Sequence, residues 1–476
     1  MAEPVTPRVL WTNWAGNQRT TAEVIRPGTV AETVAAVRAA AAQGRRIRPV
    51  GSGHSFTALA VTDGYHLQPG GDPLAGPLDG LADRPGGGPL AGPGDGPLAG
   101  PGGGPLAGPG GGAGVRVDVD RRQVTVPAGT TLRALNRLLD RHGLALPNLG
   151  DIDAQTIAGA ISTGTHGTGA RLGCLATAVT ALTLVTGTGE VLHCSADQHP
   201  DVFAAARVSL GALGILVDVT LQCVDAFVLH AHERPARLGD VLADLPALVE
   251  AHDHVEFFWF PYTDRVQVKT NDRVPVDDRP LSRWRGWLDD DLLANTVFGA
   301  ACRLGRAVPA LAPTISATAA GLLGERRYTG RSDRVFCSPR RVRFTEMEYA
   351  LPRAALPEAL DALRRIVDTL PTRVLFPAEV RFTAADDIWL SHGHGRDSAY
   401  LAIHQYAGMP YEPYFRAFER VATDLAGRPH WGKLHWRDAE SLAPAYPRFA
   451  DFQRLRDRLD PHRVFANPHL THLLGP

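Results

Sequence analysis

Two stretches decide how this chain is read: Arg48-Pro-Val-Gly-Ser-Gly-His-Ser-Phe56 and, a hundred residues on, Ile157-Ala-Gly-Ala-Ile-Ser-Thr-Gly-Thr-His-Gly-Thr-Gly169. In the first, Gly51 and Gly53 let main-chain amides come close to a ligand, and Ser52 and Ser55 add hydroxyl donors. Together they make an anion nest suited to a diphosphate. A tight turn is the plain alternative. It is not a Rossmann fingerprint, because Phe56 stands where the third glycine belongs and no helical pattern follows directly; a Walker lysine is also absent. The second stretch is a helical turn of small residues running into a Gly/Thr loop with one histidine, His166. Only small side chains let two backbones and a flat ligand pack this closely; a structural turn explains it equally well on its own. Two such loops in one domain, without an NAD or nucleoside-triphosphate signature, point to a large bound dinucleotide.

Around these loops the pattern is α+β. Thr29 is a helix N-cap with Glu32 three residues on, a capping box, and Val30, Val34 and Val37 form the apolar stripe up to Gly44. Residues 115–143 give two alternating strands and a Thr-capped helix, and residues 178–194 a hairpin turning at Gly187–Gly189. A different texture begins near Ala226. The runs at 255–270, 341–352, 373–384 and 399–408 alternate with period two, and residues 356–370 read as a helix between them. Antiparallel strands with helices on one face make a second α+β domain. The expected division is 1–224, 225–433, and a helical segment 434–476 returning to the first domain. Residues 69–114 hold 19 of the 50 glycines and 10 of the 37 prolines, with PLAGP repeated at 73–77, 89–93, 97–101 and 105–109. Such a stretch cannot bury enough surface to order itself, and it reads as a disordered insertion at a hairpin tip.

In Pro377-Ala-Glu379-Val-Arg381-Phe382, strand alternation puts Glu379 and Arg381 on one face of an otherwise apolar run. They must be paired or face a polar cavity. The run at 399–408 repeats the theme, with Ala402, His404 and Tyr406 sharing a face. A fourth segment, 428–436, packs two tryptophans, His430, His435 and Lys433 into nine residues. His230/His232, His252/His254 and His392/His394 lack zinc-site spacing, so no metal is assigned.

Composition narrows the classes. The 476 residues carry a formal net charge of −1, which lacks the basic field of a nucleic-acid binder, and 44% are hydrophobic. Five dispersed cysteines without a C-x-x-C pair indicate neither a disulfide framework nor a zinc ribbon. The first residues lack a secretory pattern, and no window of about 20 residues is apolar enough to span a membrane. A cytoplasmic protein is expected, with peripheral membrane association left open.

The ordered strings RPVGSGHSF, LPNLGDIDAQTIAGAISTGTHGTG, SLGALGI, RFTEMEYA, AEVRF, HQYAGM and AGRPHWGK resemble the sugar-1,4-lactone oxidases and alditol oxidases among the vanillyl-alcohol-oxidase-type FAD enzymes. The likeness is strongest to the actinobacterial L-gulono-1,4-lactone oxidase/dehydrogenase branch. It covers the chain except 69–114. It implies a two-part PCMH-type FAD-binding domain followed by an antiparallel-sheet-plus-helices substrate (cap) domain. It also implies that His54 bonds covalently to the flavin 8α-methyl and that Val50, Gly51, Ser52, Gly53, Ser55 and Phe56, with Ser162, Thr163, Gly164, Thr165, His166 and Gly167, wrap the cofactor. Asp151, Thr156, Gly159 and Ile215 would add FAD contacts, and His430 would touch the isoalloxazine edge. Gly150 falls where oxygen access to the flavin is controlled, glycine being permissive for oxidase behaviour. Glu379, Arg381 and Lys433 match the substrate-side cluster, and His404 falls where alditol oxidases place a threonine.

The implied reaction oxidises a CH–OH group of an L-gulono- or D-arabinono-1,4-lactone, with oxygen or another acceptor taking the electrons. In it Arg381 and Lys433 stabilise developing negative charge, Glu379 orients Arg381, and His404 is the proton acceptor, these last two roles being exchangeable. The alternatives are an alditol oxidase, a specialised-metabolism flavin oxidase acting on a larger polyol-like substrate, and a non-catalytic flavin-binding or interaction protein.

Overall fold

The structure is a computed structural model that describes residues 8–68, 114–275, 298–337 and 342–476. The repeat insertion read at 69–114 lies outside the described residues save for Gly114.

The N-terminal half holds two sheets. In the first, β1 (Arg8–Thr12), β2 (Arg19–Ile25), β3 (Ile47–Pro49) and β4 (Tyr65–Leu67) lie in the order β1-β2-β4-β3. The pairs β2/β4 and β3/β4 are parallel, as a strand–helix–strand crossover requires. That crossover is the helix Val30–Ala42, whose N-cap Thr29 accepts from the Glu32 amide. Only half of the expected capping box forms: the Glu32 carboxylate takes the Gly28 amide at 2.6 Å. Val37 and Ala40 carry the helix's buried face, and Val30 and Val34 are only half-buried.

The second sheet is antiparallel: β5 (Arg116–Asp118), β6 (Gln123–Pro127), β8 (Val179–Val185), β9 (Val191–Ser195) and β10 (Ile215–Gln222), ordered β5-β6-β10-β8-β9. The short β7 (Leu144–Ala145) and β11 (Val224–Asp225) pair beside it. Helices Leu132–Arg141 and Ile157–Ser162 pack on it, each capped by a threonine, Thr131 and Thr156, that accepts from an amide three residues on.

The C-terminal half is one antiparallel sheet of eight strands: β12 (Val228–Arg237), β13 (His254–Trp259), β14 (Arg265–Val274), β15 (Arg326–Arg331), β16 (Phe344–Pro352), β17 (Ala378–Thr383), β18 (Ser398–Tyr406) and β19 (Arg428–Pro429). Their order is β15-β12-β14-β13-β17-β18-β16-β19. Alternation gives its central strands two unlike faces. Phe257, Val268, Met347, Tyr349, Val380, Phe382, Leu401 and Ile403 join one core with helices Leu356–Thr369 and Glu412–Asp424. The opposite residues are polar and still buried. The second face turns toward the small-residue loops of the N-terminal half.

The last residues pack back on the first two sheets: Val464 and Phe465 share a core with Val37, Ile47, Leu67 and Ile215. Arg48 fixes this closure. Its guanidinium is buried and donates to the carbonyls of Leu59, Leu210, Gly211 and Phe465 at 2.6–2.9 Å. Burial, then Arg456, pull its pKa down to about 9, which leaves it charged at neutral pH. Arg48→Met strands the carbonyls of Leu210, Gly211 and Phe465 without a donor, while that of Leu59 keeps Asn467 Nδ2 at 3.2 Å. The expected cost is about 3 kcal/mol or more in denaturant unfolding, and a loss below about 1 kcal/mol would show that the closure does not depend on this cation.

Candidate functional site

The polar face crosses five adjacent strands. Lys269 stands on β14, Glu256 on β13, Glu379 and Arg381 on β17, Tyr400 and His404 on β18, and Glu346 and Glu348 on β16. Register places Glu256 opposite Lys269, Arg381 opposite Tyr400, and Glu346 opposite His404. A charged side chain survives burial here only if a neighbouring strand offers a partner.

Arg381 is the centre. Its Nε meets Glu256 Oε2 at 3.1 Å, and one terminal nitrogen serves both Glu379, at 2.5 Å, and Asp151. Lys269 holds the other oxygen of Glu256 at 3.2 Å. Burial opposes the Arg381 charge, but Asp151, Glu379 and Glu256 outweigh it and hold the guanidinium well above its ordinary pKa. The three acids group closely enough for a metal. All three pair with the Arg381 guanidinium, so the group is already served by a cation.

A second cluster forms on Glu346, which pairs with Lys433 Nζ and lies 3.4 Å from His404 Nε2. Burial raises the Glu346 carboxyl, but Lys433 and then His404 pull it down to about 2. His404 Nδ1 is 3.1 Å from the Pro377 carbonyl, which can only accept, so Nδ1 carries the proton. Its Nε2 is aimed at Glu346. In the third cluster His166 Nε2 meets Glu348 at 3.2 Å, Nδ1 meets the Gly167 carbonyl at 2.8 Å, and the ring stacks on Tyr400 at 3.6 Å. His430 lies 5.7 Å from the His166 ring and stacks on His392 at 4.8 Å. Burial drives both His392 and His430 well below the ordinary histidine value, and the two accept amide protons from Trp431 and Gly432.

The loops meet this face through main-chain stitches. Thr168 Oγ1 accepts from the Phe382 amide at 3.1 Å and donates to the Val255 carbonyl, and the Gly169 amide donates to Phe382. The 430–434 segment is wedged between β16 and the first anion loop. The Phe56 amide donates to Gly432, while His430 and Leu434 donate to Glu348 and Glu346.

The sequence-derived cofactor residues separate into several environments. Gly51, Ser52 and Gly53 form an accessible turn, and their amides, with that of Ser55, meet no acceptor among the described residues. A Cβ on Gly51 would lie 2.3 Å from Thr156 Oγ1, and one on Gly164, at φ +72°, 2.6 Å from the His392 ring. Unengaged donors over a cradle that a methyl would fill fit the diphosphate of a dinucleotide. His54 stacks on Trp14 at 6.2 Å. Gly150 needs its small size, since a Cβ would meet the His166 carbonyl at 3.0 Å. Gly167 would clash with Leu149 and Asn148, and Gly159, Ser162, Thr163 and Thr165 line the same helix end and loop. Val50 and Phe56 are buried beside the turn. The Ile215 side chain is in the core, and Thr156 works as a helix cap. Asp151, expected among the cofactor contacts, joins Arg381 on the polar face.

Glu256, Glu346, Glu348 and Lys269 were not singled out from sequence. Their signal was the one that exposed Glu379 and Arg381, a charge at period two in an apolar strand.

The eight-stranded sheet facing two small-residue loops is the fold of a flavin oxidase. Cholesterol oxidase from B. sterolicum superposes with a TM-score of 0.76 at 18% identity, each chain covered over 100% of its length. The FAD binding domain model matches residues 21–70 and 113–195, and the D-arabinono-1,4-lactone oxidase model matches residues 219–473. L-gulono-1,4-lactone dehydrogenase of Mycobacterium tuberculosis is 40% identical over 98% of this chain and 99% of its own. L-gulonolactone oxidase of Bos taurus is 33% identical over 97% of each. The chain belongs to the D-arabinono-1,4-lactone oxidase family of FAD-dependent oxidoreductases. Among the described residues no helix is long and apolar enough to cross a membrane.

Glu346 also sets an acid limit. Its folded pKa lies below the ordinary 4.5, so its contribution to stability is complete above that value and is lost as pH falls toward 2. Lys433→Met removes the larger of the two pulls and is expected to raise the acid-unfolding midpoint, followed by tryptophan fluorescence; an unshifted midpoint contradicts the assignment.

Proposed function

We propose that this enzyme oxidises a secondary hydroxyl of a neutral 1,4-lactone of the L-gulono or D-arabinono type to a ketone, with oxygen or another acceptor reoxidising the cofactor. The observation that carries this reading is the set of three carboxylates gathered on Arg381, opposite the anion loops. Bound FAD supplies the two-electron acceptor for hydrogen leaving the carbinol carbon.

The chain's own residues handle the proton and the charge. Among the described residues the polar face sets five carboxylates, Asp151, Glu256, Glu346, Glu348 and Glu379, against three permanent cations, Lys269, Arg381 and Lys433. Excess negative charge in a buried site favours a carboxylate that takes up a proton. Glu379 therefore suits the role of accepting the hydroxyl proton. The aim of His404 Nε2 at Glu346 speaks against the proton-acceptor role first given to that histidine. His404 instead orients substrate and Glu346. Arg381 and Lys433 stabilise the oxygen as its charge develops, and do so most strongly where water is excluded. His166 and His430 support the cofactor side, and His54 bonds it covalently.

Glu379→Gln is expected to lower kcat by about 100-fold while flavin content is retained, since a positioned base contributes on that scale. Full turnover on lactones would remove Glu379 from the reaction. Preference is read from L-gulono- and D-arabinono-1,4-lactone against xylitol; faster oxidation of xylitol would place the enzyme with the alditol oxidases. For the covalent bond, acid precipitation of the purified holoenzyme should leave flavin absorbance in the washed pellet, and His54→Ala should release it. Colour in the supernatant of the unaltered protein removes the covalent bond and leaves the redox class.

A further inference from the structure

Glu346 and Glu348 stand two residues apart on β16, and each grips the segment after β19 through its main chain. The Glu346 carbonyl accepts from the Leu434 amide at 2.9 Å, and the Glu348 carbonyl from the His430 amide at 2.9 Å. Their carboxylates then divide. Glu348 serves His166, while Glu346 serves Lys433, on the very segment its carbonyl already holds.

Lys433 has a long stem and a single ion-pair partner among the described residues, Glu346. Its ammonium also stands 5.3 Å from the Phe56 ring centroid, beside the first anion loop. A lysine held only by its own flexible stem keeps its rotamer freedom, so without a fixed counter-ion the ammonium would wander over several positions. The other groups facing Glu346 are His404 from β18, at 3.4 Å, and Glu348 from its own strand, whose negative charge opposes that of Glu346 and attracts the Lys433 ammonium.

We propose that Glu346 is a positioning residue of the reaction: its carboxylate fixes the Lys433 ammonium and the His404 ring on the substrate face without itself meeting substrate. The inference rests on the reading above, in which Lys433 stabilises charge that develops on the reacting oxygen. If so, Glu346 contributes only through Lys433 and His404, and its effect appears in the chemical step rather than in substrate binding.

The test is a double-mutant cycle on the FAD-loaded enzyme with Glu346→Gln, Lys433→Met and both together, measured by steady-state turnover and by rapid-mixing reduction of the flavin with lactone. Glu346→Gln is expected to lower kcat at least tenfold with KM within threefold. In the Lys433→Met background the same change should cost less than threefold more, the residue of its hold on His404. Turnover within twofold of the unaltered enzyme, a loss confined to KM, or losses that multiply in the double variant each overturn the proposal. Where Glu346→Gln does not fold, Glu346→Asp keeps the charge on a shorter stem. A kcat loss that shrinks in the Lys433→Met background then supports the proposal, and unaltered kcat overturns it. The unaltered enzyme is assayed first. Should no lactone or polyol reduce its flavin, the reaction reading fails by itself, and the cycle is run on melting temperature instead. There non-additive shifts uphold the Glu346–Lys433 placement and additive shifts overturn it.

Discussion

Arg381 joins three carboxylates, two of which reach it from distant parts of the chain: Asp151 from the turn before the second anion loop and Glu256 from β13, with Glu379 on its own strand. None of these charges is tolerable in that place alone. The desolvation of a single buried ion costs several kcal/mol, and the guanidinium recovers it only when its partners are present together. The N-terminal half must therefore dock on the eight-stranded sheet before the site is electrostatically complete. Thr168, through its hydroxyl, and Gly169, through its amide, make the same junction, where the ladder of β17 is extended by the loop. The small-residue loops and the polar face are thus held in one frame, as a reaction between a cofactor and a substrate bound there would require.

The sheet that carries this face is unusual in being buried on both sides with opposite chemistry. Its apolar side is filled in the ordinary way, by helices Leu356–Thr369 and Glu412–Asp424. Its polar side is filled by ion pairs, some across one strand spacing and others to residues of the loops that cover it. A slip of one residue in β17 would turn Val380 and Phe382 toward the charges and Glu379 and Arg381 into the core, so register here is fixed by both faces at once. The same rigidity leaves the carboxylates little room to relax.

Much of this was legible in the sequence because its signals were local. A charge in an apolar strand, two glycines in a short turn and a threonine before a helix each constrain structure within a few residues. Glu379 and Arg381 were found in that way, and so was the Thr131 cap. What escaped was what depends on register between distant strands. Glu346, Glu348 and Glu256 carry the same period-two signal, yet their meaning is set by His404, His166 and Arg381, which no spacing reveals. Asp151 escaped for a related reason: its neighbours along the chain belong to the small-residue loops, and its ion pair belongs to the polar face. In the helix at Val30, the carboxylate of Glu32 reached one residue too far, to Gly28, a choice of geometry that a capping pattern does not encode.

The two histidines on the polar face show why residue type alone does not assign a proton acceptor. His404 has the chemistry of a base, but its Nδ1 proton is committed to the Pro377 carbonyl and its Nε2 is turned to the Glu346 carboxylate. His166 is engaged in the same manner, between Gly167 and Glu348. With one nitrogen on a carbonyl and the other turned to a carboxylate, neither ring offers a free nitrogen to a bound molecule. Glu379 is placed the other way. It is one of three acids that share a single guanidinium, where each added proton relieves repulsion among the remaining carboxylates. On this face the partners of a side chain, more than its residue type, decide which groups remain open to a proton.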